Sequence, residues 1–234
     1  MSLVEKLGSL PFASSLLRAY YDPDQRRKIL RTLVGLVLVY GLNKTLNRLA
    51  LNHWTFFRRG APWRWSQEIV LVTGGCSGFG FLTVKGFSPK VRKVIVLDVV
   101  DLPEELRRLP NVAYYKCDIT NPGTVREVAD DVRKSHGIVS VLVNNAGIAS
   151  AHTIMDTKPE FLEKIFRVNV FAHYYLIQQF LPDMLKARKG HILTLASMAS
   201  YASTASLVDY CATKHAVLAL HDGRSSNSKV TDHR

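Results

Sequence analysis

Residues 68–80 read EIVLVTGGCSGFG, and the fold turns on that stretch. Glu68–Thr73 is a short apolar run of strand-forming residues that ends at glycines. Thr73–Gly80 then supplies a T-G-x-x-x-G-x-G loop (Thr73, Gly74, Cys76, Ser77, Gly78, Phe79, Gly80), and a helical stretch follows. Glycines between a strand and a helix let the backbone turn sharply and approach a pyrophosphate, whose charge the helix N-terminus stabilises. The pattern is weak alone; its place after a strand and before a helix gives it weight. Asp98 closes the next apolar run, VIVLD. A carboxylate there accepts hydrogen bonds from an adenosine ribose 2′-hydroxyl and repels a 2′-phosphate, and no lysine or arginine lies in 74–79 to offset it. The dinucleotide expected is therefore NAD(H) rather than NADP(H), the alternative being that Asp98 merely caps a helix.

Outward from this loop, strands and helices alternate. Strands are expected at Glu68–Thr73, Val91–Val96, Val112–Lys116, Val139–Val143 and His191–Leu195. Helices are expected around Gly80–Phe87, Thr124–His136, Lys158–Leu185 and Ser206–Leu220. This alternation predicts an α/β domain with a Rossmann-type doubly wound parallel sheet over residues 67–220. Residues 221–234 are polar and aperiodic and are expected to form a disordered tail.

The N-terminal quarter differs in kind. Ile29–Leu42 is apolar except for Arg31 and Thr32, and weaker helical spacing persists to Leu51. Basic residues stand on both sides: Arg26, Arg27 and Lys28 before it, Lys44, Arg48, Arg58 and Arg59 after its start. A spanning helix needs about 20 apolar residues, so a tilted span and an in-plane or hairpin anchor are both open. The expected organisation is a basic segment 1–28, a membrane anchor 29–51 and an interfacial aromatic and basic linker 52–66 that includes Trp54, Phe56, Phe57, Trp63 and Trp65. The formal net charge of +12 is concentrated here: Met1–Ser66 holds eleven Lys/Arg against three Asp/Glu. Basic charge beside an apolar run points to anionic lipid headgroups. Nucleic acid is not an expected partner, because no recognised module or aromatic-basic interleaving is present.

Cys76, Cys117 and Cys211 are widely spaced, and the eight histidines show no paired ligand spacing. Neither a disulfide framework nor a metal site is expected. Cys76 reads either as a somewhat acidic thiol at a helix N-terminus or as a plain small loop residue.

Tyr210 and Lys214 stand one helical turn apart, so phenol and ammonium project from one face, where the cation favours the phenolate. Ser197 precedes the tyrosine, Asn169 lies further upstream, and Asn144–Gly147 reads NNAG. Taken together, the stretch from about Gln67 to Leu220 resembles the short-chain dehydrogenase/reductase family. The resemblance implies that Asn169, Ser197, Tyr210 and Lys214 form a catalytic tetrad. It also implies that Asp118 and Ile119 lie against adenine and that Asn145, Ala146 and Gly147 line the cofactor. In these roles Tyr210 exchanges a proton with the substrate oxygen, Lys214 supports it and binds the nicotinamide ribose, and Ser197 holds the substrate carbonyl. Asn169 holds a relay water, or, on its own residues alone, is a packing asparagine.

The N-terminal anchor makes the chain similar to the membrane-associated branch that handles retinoids, steroids and other lipid alcohols. That branch implies a small lipophilic alcohol or ketone substrate and attachment to endoplasmic reticulum or lipid droplets, with the domain facing the cytosol. Family members continue into a sixth strand, a Pro-Gly turn, a substrate loop and a seventh strand. None of these follows Lys214, so the chain is expected to be C-terminally truncated, with a homodimer weakened accordingly. The competing expectation is a catalytically incompetent relative that at most binds nucleotide or a partner.

Overall fold

A computed structural model describes residues 22–51, 63–149 and 151–230, and the chain divides into two compact units, Met1–Arg59 and Gly60–Arg234. In the first, helix α1 (Pro23–Leu51) runs unbroken for 29 residues. At 1.5 Å per residue that is ~43 Å, longer than the ~30 Å hydrocarbon core of a bilayer. Its apolar side chains are uncovered, with Val37, Leu38 and Val39 each more than 60% exposed. It is the one helix among the described residues long and apolar enough to cross a membrane. It begins six residues before the expected anchor, and no hairpin interrupts it.

The second unit is a five-stranded parallel sheet in the order β3-β2-β1-β4-β5. The strands are β1 (Ile69–Thr73), β2 (Lys93–Asp98), β3 (Val112–Lys116), β4 (Val141–Asn144) and β5 (His191–Thr194). Between them run α2 (Gly78–Phe87), α3 (Glu104–Arg107), α4 (Pro122–Ser135), α5 (Pro159–Phe166) and α6 (Ala172–Lys186), with α7 (Val208–Val230) last. Alternation along β1 divides the core. Ile69 and Leu71 pack with Val125, Ala129 and Val132 of α4 and Leu176 and Phe180 of α6. Val70 and Val72 pack on the other face with Val84 of α2 and Leu106 of α3. All four β1 residues are nearly inaccessible, as a central parallel strand covered on both faces requires.

Several expectations need correcting. The single long helix across 158–185 is α5 and α6 joined through a π-helical turn, Arg167–Phe171. Such a turn inserts a residue into the helical ladder and is common at functional sites. The short α3 carried no periodic signal. β5, expected to reach Leu195, stops at Thr194, and Ser197 caps the short turn Met198–Ser200. The last helix passes Leu220 and reaches Val230, so 221–230 is helical where a disordered tail was expected. No proline interrupts it, and its glycine, serines and asparagine each weaken a helix by only ~0.5–1 kcal/mol. Residues 231–234 and 52–62 of the expected linker lie outside the described residues. Trp63 and Trp65 of that linker are described: Trp63 packs against the core, stacks on Trp65 at 5.6 Å and lies under Lys189 Nζ.

Candidate functional site

The C-terminal ends of the parallel strands open on a cleft of about 780 Å³, a size that suits a cofactor or drug-sized ligand. β1 delivers the glycine loop to its floor. Gly74 has φ +63°, a conformation L side chains rarely adopt. A Cβ on Gly80 would lie 2.0 Å from Gly74 O and 2.6 Å from Asn145 Nδ2, so only hydrogen fits there. Ser77 precedes α2 without a side-chain cap, which leaves the first-turn N–H groups free of a side-chain acceptor at an exposed, glycine-lined helix N-terminus. That is the arrangement an anionic pyrophosphate fills.

Thr73 and Asn145 join this loop to β4. Thr73 Oγ1 accepts the N–H groups of Asn145 and Ala146, both at 3.1 Å. Asn145 Nδ2 donates to Thr73 O (2.8 Å) and Gly74 O (3.1 Å). At the tip of β2, Asp98 Oδ2 accepts Cys76 N–H at 2.9 Å and Oδ1 accepts Val99 N–H at 2.8 Å. Each carboxylate oxygen has further lone-pair capacity, and Asp98 lines the cleft. Burial and the adjacent Asp98 charge push the Cys76 thiol up to about 12, so Cys76 is a protonated loop residue and not an acidic thiol. Asp118 lines the cleft with Ile119, its Oδ1 accepting Thr120 N–H and Oγ1–H.

On the opposite wall Tyr210 and Lys214 extend from α7 into the same cleft. Lys214 Nζ lies 5.6 Å from the Tyr210 ring centroid and donates to Leu195 O at 2.7 Å. It is 4% exposed, and burial lowers its pKa from the usual lysine value. Asn169, fully buried in the π-helical turn, ties two walls together. Its Oδ1 accepts Ile148 N–H (2.8 Å), while Nδ2 donates to Ile148 O (2.8 Å) and Thr213 Oγ1 (3.0 Å). Thr213 Oγ1 in turn donates to the Tyr210 backbone carbonyl at 2.7 Å. The Asn169 side chain thus bonds to the Ile148 backbone and to threonine.

Of the expected residues, Gly74, Ser77, Gly78, Phe79, Asp98 and Asp118 line the cleft, as do Ile119, Asn145, Ala146, Gly147, Tyr210 and Lys214. Thr73, Cys76 and Gly80 shape the loop behind it. Asn169 and Ser197 are not on its wall. Ser197 Oγ accepts Ala199 N–H at 3.1 Å, and Ser200, 3% exposed, links it to α7: Ser200 Oγ accepts Ser197 N–H and donates to Lys214 O at 2.9 Å. Ser200 and Thr213 were missed from sequence, because a buried hydroxyl bound to backbone leaves no pattern. Glu160, Glu163, Lys164 and Arg167 of α5 and its junction also line the cleft and carried no signal beyond helix polarity.

A family model described as short chain dehydrogenase matches residues 68–230. Dehydrogenase RED2 of Cochliobolus heterostrophus is 36% identical over 196 residues, covering 82% of this chain and 73% of that protein. The chain belongs to the short-chain dehydrogenase family. Within it, retinol dehydrogenase 10-B of Danio rerio is 29% identical over 212 residues, covering 76% of this chain and 63% of the relative. Among solved members, a short-chain dehydrogenase/reductase from Burkholderia phymatum in complex with NAD superposes with TM-score 0.65 at 26% identity, covering 71% of this chain and 62% of that one. ElxO with NADP bound gives 0.64 at 28%, covering 70% and 68%. The chain thus spans somewhat under two thirds of retinol dehydrogenase 10-B and of the Burkholderia enzyme. The fold accommodates either NAD or NADP.

Proposed function

We propose that this chain is an NAD(H)-dependent oxidoreductase, attached to a membrane through α1, that interconverts a lipophilic alcohol and its carbonyl. The observation that carries this reading is a single cleft with the glycine loop and Asp98 on one wall and the Tyr210–Lys214 pair on the other. Gly74, Gly80, the uncapped start of α2 and Asp98 fit a dinucleotide without a 2′-phosphate. When bound, the nicotinamide supplies a hydride acceptor or donor. Tyr210 exchanges the proton at the substrate oxygen, and the Lys214 ammonium favours the phenolate. Ser197 keeps its hydroxyl proton for donation, since its oxygen already accepts Ala199 N–H. Asn169 and Thr213 are positioning residues that fix α7 against the loop after β4. The segments meeting Lys214 are apolar on the cleft wall (Ile148, Ala149, Leu195 and Ala196), which favours a lipophilic substrate, as does the likeness to a retinol dehydrogenase.

The test is turnover of lipophilic alcohols, retinol among them, with NAD by the full chain and by Tyr210→Phe. Loss of about 10²–10⁴-fold in the variant is expected. Equal rates would overturn the assignment. Titration of NADH against NADPH, in the wild type and in Asp98→Ala, tests the cofactor preference separately, and equal wild-type affinities would refute it. A second reading, nucleotide binding without turnover, is favoured by one observation: Ser197 does not line the cleft that Tyr210 and Lys214 share.

A further inference from the structure

All five strands are parallel, so every loop that enters a strand emerges at the end of the sheet opposite the cleft. These loops form one continuous base. Lys189, before β5, is bonded to Glu68, before β1, and lies over Trp63. Arg92, before β2, donates to Glu68 O through its backbone and to His136 O, before β4, through its guanidinium. Trp65 packs 6.0 Å from Phe87 at the end of α2.

The base is basic in a particular way. Arg64, Lys90, Lys134, Lys186 and Arg188 are exposed there, and none of their side chains forms an ion pair among the described residues. Most carboxylates near them are already taken: Glu68 is 2% exposed and held by Lys189, while Asp130 and Asp183 are both bound by Arg133. Asp131, exposed beside Lys134 and bonded to Ser135, is the exception, so the cations are in excess. The opposite end differs, because the cleft wall mixes Asp98, Asp118, Glu160 and Glu163 with Lys164 and Arg167.

We propose that this base is a second membrane contact, docking the catalytic domain on the headgroups of an anionic bilayer. The proposal rests on the membrane attachment inferred above and adds a partner surface and an orientation to it. Two further features choose lipid as the occupant. The base is where the chain enters the domain from the apolar segment: β1 starts there, and 52–62, eleven residues, spans at most ~40 Å when extended. Trp65, half exposed beside these cations, has the amphipathic ring found at headgroup level. Attraction of this kind acts within a Debye length, ~8 Å at physiological salt, so the base must lie on the surface to feel it. Strands of this length put the cleft ~20 Å further out. The mouth then faces the aqueous side, from which a dinucleotide arrives.

Amine-reactive footprinting of the full chain on vesicles, read by mass spectrometry, tests this. On phosphatidylcholine vesicles with roughly one-third phosphatidylserine, Lys90, Lys134 and Lys186 should label at least about threefold more slowly than in detergent, and salt should reverse the protection. Lys116, Lys158 and Lys164, at the cleft end, should keep their reactivity. The exposed-site variant Lys90→Glu/Lys186→Glu/Arg188→Glu should still sediment with vesicles through α1 while Lys134 regains full labelling. Sedimentation of the wild type without protection of the base, or with protection of the cleft-end lysines instead, overturns the proposal and leaves the anchor reading standing. Failure to sediment at all overturns both. An RNA fragment that protects the base lysines where anionic vesicles do not would also overturn it and assign the surface to nucleic acid.

Discussion

Replacing Asn169 with alanine should cost stability out of proportion to the atoms removed. The side chain is fully buried and makes three hydrogen bonds: it accepts from Ile148 N and donates to Ile148 O and Thr213 Oγ1. A typical intramolecular bond contributes ~1 kcal/mol net, so the variant should lose ~3 kcal/mol. Ile148 is half-buried, and water entering the space recovers part of its loss, which keeps the estimate from rising further. Against a total of ~5–15 kcal/mol the change is large, and for a domain of this size it corresponds to a Tm lower by ~6–12 °C. Asn169→Asp separates the contributions, since a carboxylate still accepts from Ile148 N but donates to neither partner. Thermal unfolding of the full chain in detergent, followed by near-UV circular dichroism, gives the total, and amide exchange at Ile148 gives the local effect. If Asn169→Ala unfolds within ~0.5 kcal/mol of the wild type with Ile148 exchange unchanged, the residue is not the tie between β4 and α7 described here.

Three other outcomes are expected. Gly80→Ala should abolish NADH binding measured by fluorescence and lower Tm, because its Cβ would meet the Gly74 carbonyl and Asn145 amide at bonding distances; wild-type affinity would mean the loop is not held as described. Burial and the Lys214 charge lower the His173 pKa to about 4. The unfolded chain therefore binds the extra proton first, and stability should fall as pH drops from ~6.5 towards 4, by up to ~3 kcal/mol; urea titrations of His173→Leu should show a flatter slope in that window, and an identical slope would refute the assignment. Lys189→Met should destabilise by roughly 3 kcal/mol, because it leaves the Glu68 carboxylate, 2% exposed, without a counter-charge and with the Arg64 N–H still bonded to it, while Lys189→Met/Glu68→Gln should recover most of the loss in the same titration.

The sheet was legible because its strands are continuous apolar runs bounded by loop residues, and Val112–Lys116 was placed to the residue. Residues whose chemistry needs one type at one spacing were legible too: Gly74, Asp98, Asn145, Tyr210 and Lys214 all reach one cleft. What failed to show lies in relations between distant segments. The π-helical turn at Arg167–Phe171 holds two valines and Asn169, weaker helix formers than their neighbours, but nothing in them specifies an inserted residue. The strand expected to reach Leu195 stops at Thr194, and the turn after it is held by Ser200 bonding to Lys214 O, a link no local pattern shows. Trp63 and Trp65 carry an interfacial composition, yet Lys189, more than a hundred residues away, gives them a partner within the domain. The extension of α7 past Leu220 shows that lost amphipathicity ends a buried face before it ends a helix.

The outer side of β5 bears on how long a molecule survives after synthesis. His191–Thr194 stands at the end of the strand order beside β4, and its four residues include no lysine, glutamate or proline. Leu193 is 41% exposed on it. The last strand of a sheet is where a further extended segment can add, and charges or prolines are the usual deterrents. The opposite border, β3, ends in Lys116 paired to Asp101 and is better defended. A charge placed on β5, as in Leu193→Lys, should therefore raise soluble yield without touching the cleft, which Leu193 does not line.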